Sequence, residues 1–262
     1  MSVPVTTRGK PKNVMAQTTV VLPTYNEAEN LPLMVDALLA LPVNILVVDD
    51  NSPDGTGDIA ERLAAEHRGR ITVMHRTEKS GLGTAHITGF KQAMSLGAQY
   101  LIQMDADFSH QPKYIPDLIA KLEQGNDLII GSRYARGGGV DKTWGPYRKL
   151  LSWFANAVYV RILLGLPVSD ATGGYRIWRR ETLLGMGLER IHSNGYVFQV
   201  EMAYVAHRLG FHIAEIPIYF PDRTRGQSKM GSGIVFEAAL RVWQLIYRHH
   251  ALTPQMRRTE VG

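Results

Sequence analysis

The sequence predicts a wound α/β sheet, and three observations predict it. Short β-branched runs alternate with longer helical stretches from residue 18 onward. The central runs are apolar for nearly their whole length, as strands are when helices cover both faces. Acidic and glycine-rich turns stand at the carboxyl ends of those runs, the edge at which open α/β sheets hold ligands. At 262 residues the chain is long enough for one large domain with a packed core.

Each element follows from its own pattern. TTVVLP is the first strand, ending at Pro23, and an acidic, Ala/Leu-rich helix runs over 27–41. NILVVDD forms the second strand, closed by Asp49 and Asp50; NSPDGTG turns the chain into a helix over 56–68. ITVMHR is a third strand, and a helix over 83–97 stands behind the SGLG turn. YLIQMDAD is a fourth strand with acidic last residues, followed by a helix behind Pro112 and by DLIIGSRY as a fifth strand. The second half is less regular. It offers two strongly apolar helices, over 150–167 and 233–250, interrupted by Arg161 and by Glu237 and Arg241. A charge near mid-span is costly in hydrocarbon, so each reads as a core helix or as a helix lying on a bilayer, with Trp153, Trp243 and Tyr247 at headgroup level. The expected division is a disordered basic arm over 1–16, a catalytic-type domain over 17–233, an amphipathic membrane-surface helix over 234–250 and a mobile tail over 251–262.

Composition removes whole classes of function. With no cysteine, the chain has no disulfide framework, thiolate zinc site, iron–sulfur cluster or cysteine nucleophile. The first residues lack the apolar stretch of a secretory signal, which predicts a cytoplasmic protein. Residues 1–132 hold 11 Lys/Arg against 15 Asp/Glu and residues 133–262 hold 18 against 9, so the halves carry −4 and +9. An acidic half suits a metal, and a basic half suits anions or an anionic membrane surface. No zinc knuckle or RRM-like motif accompanies the charge, and nucleic acid is not an expected partner. SGLGTA lacks the third glycine of a dinucleotide fingerprint, since His86 stands there, and no P-loop exists.

The chemistry gathers in four loops. Asp105-Ala106-Asp107 presents two carboxylates at the mouth of a buried strand, able to share a hard divalent cation and a sugar hydroxyl, with Ser109 as a further oxygen donor and His110 packing nearby. Adjacent Asp49 and Asp50 point in opposite directions on extended chain, so one ties the turn while Asp50 faces a nucleotide. Pro23, Tyr25 and Glu27 make a platform of rigid turn, aromatic contact and acceptor. Arg133, Arg223, Arg225 and Lys229 are candidate anion partners. Arg148 and Ser152, four apart on one helix face, fit a phosphate between a fork and a hydroxyl. DRTRGQSK reads as a loop that closes on an anionic ligand.

Taken in order, PTYNE, VVDDNSPDGT, GLG, MDADFSHQPK, GSRY, SDATGGYR and DRTRGQSK resemble the dolichol- and polyprenol-phosphate mannosyltransferases, inverting family-2 glycosyltransferases of GT-A fold, over residues 18–233. The Q-x-x-R-W motif of processive synthases is absent. The resemblance implies a Rossmann-like wound sheet in a single domain with carboxyl-terminal interfacial helices. It implies that Pro23, Tyr25, Glu27, Val48 and Asp50 line the nucleotide pocket, and that Asp105, Ala106 and Asp107 contact the nucleotide sugar. Asp107 is then the main ligand of Mg²⁺ or Mn²⁺. Some relatives carry a glutamine ligand where Ser109 stands, which makes Ser109 the second candidate, directly or through water. Arg133, Arg223 and Lys229 surround the phosphates, and Arg148 with Ser152 holds the lipid phosphate.

The expected reaction is transfer of mannose from GDP-mannose to polyprenyl phosphate at the cytoplasmic membrane surface, with inversion and with Asp105, Asp107 and Arg133 at the reacting centre. Such a protein meets the membrane through interfacial helices or a separate membrane-anchoring protein. Two alternatives stand beside it: the same fold using a UDP-sugar, and a non-catalytic basic membrane- or RNA-binding module.

Overall fold

A computed structural model describes residues 14–221 and 232–258. The first half alternates as its apolar pattern requires: β1 (Thr18–Thr24), α1 (Leu31–Leu39), β2 (Asn44–Asp49), α2 (Thr56–Glu66), β3 (Ile71–His75), α3 (Leu82–Ser95), β4 (Tyr100–Gln103), α4 (Ile115–Glu123) and β5 (Leu128–Ser132). Beyond it come β6 (Gly139–Val140), α5 (Pro146–Trp153), a π-helical stretch (Phe154–Val160), α6 (Arg161–Leu164), β7 (Arg176–Arg179), α7 (Arg180–Met186), α8 (Gly195–Arg208), β8 (Ile213–Pro217), β9 (Tyr219–Phe220) and α9 (Ser232–His249).

Seven strands form one sheet in the order β3-β2-β1-β4-β7-β5-β8, and β6 pairs with β9 in a small ribbon. Neighbours are parallel except at β7, which runs antiparallel to both β4 and β5. Its register levels the site. Gln103 and Ile130 both pair with Arg176, so the chain leaves β4 at 104–107 and β5 at 133 on the same edge and at the same height. The loop before β7 enters between them. One strand further, Pro23 and Thr24 of β1 lie opposite Val48 and Asp49.

Two apolar layers cover the sheet. α1, α2 and α4 bury Leu31, Met34, Leu38, Leu118 and Leu122 on one face; α3, α7, α8 and α9 bury Phe90, Leu183, Phe198 and Leu245 on the other. α3 comes so close to β1 that a Cβ on Gly89 would lie 2.4 Å from Val21, which only glycine avoids.

Three expectations change. Packing begins within the stretch expected as an arm, because Val14 is buried and Met15–Gln17 form a 3-10 turn leading into β1; residues 1–13 lie outside the described residues. The tail, expected to be mobile, docks along its described length. Arg257 donates from Nε to Leu209 O at 2.6 Å and covers the Phe211 ring, while Arg190 donates to Met256 O. Here cationic side chains cap helix-end carbonyls. Third, the apolar run over 150–167 is not one regular helix. It is α-helical, then π-helical, then α-helical, ending at Gly165 in the left-handed conformation.

Candidate active site

Three loops leave the carboxyl ends of β1, β2 and β4, and each carries backbone strain. Asn26, Asn51 and Phe108 are the positive-φ residues other than glycine among the described residues, at 60°, 54° and 62°. One falls in each loop, in a conformation that costs free energy and collects at functional sites.

In the second loop Asp49 serves the turn. Its carboxylate accepts from Ser52 Oγ at 2.6 Å, Ser52 N at 3.1 Å and Thr24 Oγ1 at 3.1 Å. Asp50 faces elsewhere and accepts from Arg76 Nη1 at 2.7 Å; Arg76 also donates to Thr84 Oγ1, joining the end of β3 to the first turn of α3. Burial pushes the Asp50 carboxyl up, with the Arg76 charge and hydrogen bond working against it. Tyr25, on the first loop, is half-exposed and carries the Lys79 ammonium 3.7 Å above its ring. Glu27 is engaged locally: its backbone N donates to Thr56 Oγ1 and its carboxylate accepts from Asn30. Val48 is fully buried, its side chain packed beside Gly89.

In the fourth strand's loop Asp107 is nearly buried and accepts from Ser109 N at 3.0 Å and Ser109 Oγ at 2.6 Å. The Ser109 hydroxyl is therefore turned onto the Asp107 carboxylate. Asp105 is more open, with about a quarter of its side chain exposed. Its backbone N donates to His110 Nδ1 at 2.9 Å; the His110 ring stacks on Tyr175 at 5.1 Å and meets Phe220 edge-on at 5.8 Å. A Cβ on Gly174 would lie 3.2 Å from that ring, so the paired glycines of SDATGGYR let β7 begin under the acidic loop.

Arg133 stands across Phe220 from His110, its guanidinium 5.4 Å from the Phe220 centroid and 5.3 Å from that of Tyr134. Asp170 holds it from the side, and the Tyr134 hydroxyl lies 2.5 Å from Ser152 Oγ on α5. Arg148 lies one turn earlier on the same helix. Arg223, Arg225 and Lys229 fall outside the described residues.

The layout is an acidic loop, a clamped arginine and three strained loops at one end of a wound sheet. Residues 19–184 match the profile of Glycosyl transferase family 2.

The chain belongs to glycosyl transferase family 2.

Two relatives match over most of their length. The undecaprenyl-phosphate mannosyltransferase of Micrococcus luteus is 47% identical over 240 residues, covering 90% of this chain and 97% of the relative. The polyprenol monophosphomannose synthase of Mycolicibacterium smegmatis is 47% identical over 229 residues, covering 86% and 85%. Among solved structures, glucosyl-3-phosphoglycerate synthase from Mycobacterium tuberculosis, in complex with Mn²⁺, UDP and glucosyl-3-phosphoglycerate, superposes with a TM-score of 0.61 at 20% identity, covering 93% of this chain and 87% of that one. A mannosyltransferase from Pyrobaculum calidifontis, in complex with GDP-Man and Mn²⁺, gives 0.57 at 18% identity, covering 92% and 71%. The fold of this family-2 glycosyltransferase is therefore GT-A.

Several residues around this crevice carry little signal in the sequence. Arg76, Lys79, Tyr134 and Asp170 each act through a partner distant in sequence, and only Arg76, a cation ending an apolar strand, stands out from its surroundings. His86, in the glycine turn's third position, is fully buried and stacked near Phe90 and Phe198; burial lowers its pKa to about 3, so it stays neutral.

The oxygen-only donor set of Asp105 and Asp107 suits a hard divalent cation. Two carboxylates alone leave most of its coordination to a ligand's phosphate oxygens and to water. Among the described residues there is no group of three or more His, Cys, Asp or Glu that could hold a metal.

Proposed function

We propose that this enzyme transfers mannose from GDP-mannose to polyprenyl phosphate with inversion, giving polyprenyl-phosphate mannose, while resting on the cytoplasmic face of a membrane. The observation that carries this reading is the 47% identity to the Micrococcus luteus undecaprenyl-phosphate mannosyltransferase over 97% of that protein's length. The crevice supports it.

Asp50, oriented by Arg76, accepts from the base or ribose, and Tyr25 supplies a stacking face beside Pro23. Asp105 and Asp107 receive the sugar diphosphate, Asp107 being the principal carboxylate toward Mg²⁺ or Mn²⁺ and Ser109 fixing its direction. A divalent ion held there would offset the charge on the departing diphosphate. The acceptor is a phosphate monoester whose second pKa is about 6, so its oxygen is anionic at neutral pH and needs no strong general base. What the chain must supply is alignment of two anions against their repulsion. Arg133, with Arg223 and Lys229, takes the phosphate side; Arg148 and Ser152 take the acceptor phosphate.

The membrane contact is read from α5. No helix among the described residues is long and apolar enough to cross a membrane. Tyr147, Leu150, Trp153 and Phe154 are 77%, 62%, 46% and 50% exposed. Their spacing of three, three and one places them on one stripe, with Lys149 and Arg161 beside it. The expected surface helix at 234–250 contributes less. Of its described side chains Val242, Leu245 and His249 are buried, while Trp243 and Tyr247 are exposed.

The test is a donor panel: purified protein, a short polyprenyl phosphate, and labelled GDP-mannose, UDP-glucose or UDP-galactose. Expected is a mannolipid formed from GDP-mannose alone, stopped by EDTA and restored by Mg²⁺ or Mn²⁺. Transfer only from a UDP-sugar, or hydrolysis without transfer, overturns the reading.

A further inference from the structure

Asp170 is a fully committed carboxylate near the crevice, and nothing in the reaction above uses it. It is fully buried, and both of its oxygens bind one partner: Oδ2 accepts from Arg133 N at 2.9 Å and Nε at 2.8 Å, and Oδ1 accepts from Arg133 Nη2 at 2.7 Å. Thr172 Oγ1 accepts from the same Nη2 at 2.9 Å. The loop bearing Asp170 is itself pinned, because Glu215 of β8 accepts the backbone N–H groups of Ser169 at 2.9 Å and Asp170 at 2.8 Å. A planar guanidinium held by its Nε–Nη2 side has its Nη1 edge turned away from Asp170. The guanidinium lies over the Tyr134 and Phe220 rings, 5.3 and 5.4 Å from their centroids.

Burying an ion pair seldom gains stability over apolar packing, so a pair kept at a crevice mouth calls for another account. An arginine without such a clamp would spread over many rotamers and lose that freedom only on meeting its ligand. We propose that Asp170 is a positioning residue, clamping Arg133 so that its outward edge meets the phosphate oxygens of the sugar donor as the bond to the sugar breaks. The inference rests on the role given to Arg133 above.

The experiment is a double-mutant cycle on the full chain, assayed with GDP-mannose and a short polyprenyl phosphate: wild type, Asp170→Asn, Arg133→Lys and the double variant. Asp170→Asn is expected to lower kcat by about 10- to 100-fold with KM for GDP-mannose changed by less than about threefold. In the Arg133→Lys background it should cost less than about threefold further, because its target is gone. An equal loss in both backgrounds makes Asp170 merely structural and overturns the inference, as does unchanged kcat. Should Asp170→Asn fail to fold, Thr172→Val takes away the Nη2 contact and leaves Asp170 in place; a loss of about threefold confined to the Arg133 background supports the clamp, and an equal loss in both defeats it. If wild-type protein transfers no mannose, the proposed function falls first; if it does and the cycle is additive, only the clamp falls.

Discussion

Asp107 shows how a short acidic motif becomes a defined site. A carboxylate at the end of an apolar strand is visible in sequence. What makes this one rigid is the Ser109 hydroxyl and amide on its Oδ1, a local contact two residues away. Asp107→Asn keeps the volume and removes the charge, so its melting temperature should match wild type while kcat drops by about 100-fold or more. Near-wild-type transfer by the folded D107N protein would take Asp107 out of the proposed metal site. The place of Asp105, Asp107 and Arg133 just past strand ends was legible because strand ends can be read from an apolar run. Asp170 was visible only as part of a motif, since its partner lies 37 residues earlier and two strands must pair with β7 before they meet.

At the scale of elements, the five strands of the first half announced themselves, and among the later ones β7 did not. Its sequence RIWR breaks the apolar run with Arg176, which is fully buried because it donates to the carbonyls of Gly173, Ala171 and Gln199. α9 hides a second polar anchor. Glu201, buried on α8, accepts from the His249 ring, from Arg248 and from the backbone N–H groups of His192 and Ser193. Burial pushes the Glu201 carboxyl up, yet the hydrogen bonds from His249, Ser193 and His192 outweigh it and bring its pKa down to about 2, from 4.5. A carboxyl lowered on folding adds stability that is complete above its unfolded pKa and disappears as pH falls through the folded one. The gain is on the order of 3 kcal/mol near neutrality and fades between about pH 4.5 and 2. Glu201→Gln should therefore melt lower than wild type at pH 7, with the gap narrowing as pH drops to 3. Thermal melts showing a constant gap would mean that the carboxylate charge is not what ties α9 to α8.

For the whole molecule, the separation of charge between the two halves acquires a geometry. The acidic strand ends and the clamped arginine share one edge of the sheet. The helix that carries Ser152 toward that edge is the same one whose other side shows Tyr147, Leu150, Trp153 and Phe154 to solvent. An acceptor with its phosphate at the crevice and its chain in a bilayer would be met by one element touching both. This yields a quantitative expectation for binding. Each aromatic side chain buried at the interface contributes about 1–2 kcal/mol, so the Trp153→Ala, Phe154→Ala pair should weaken partition onto phosphatidylglycerol vesicles by about 30- to 900-fold. Vesicles without anionic lipid should bind less well, and added salt should erase that difference, because cations beside the stripe act within a Debye length of the surface. Sedimentation with liposomes reads both effects. Undiminished binding by that pair, with loss instead on replacing Trp243 and Tyr247, would move the membrane face to α9 and separate it from the helix that carries Ser152.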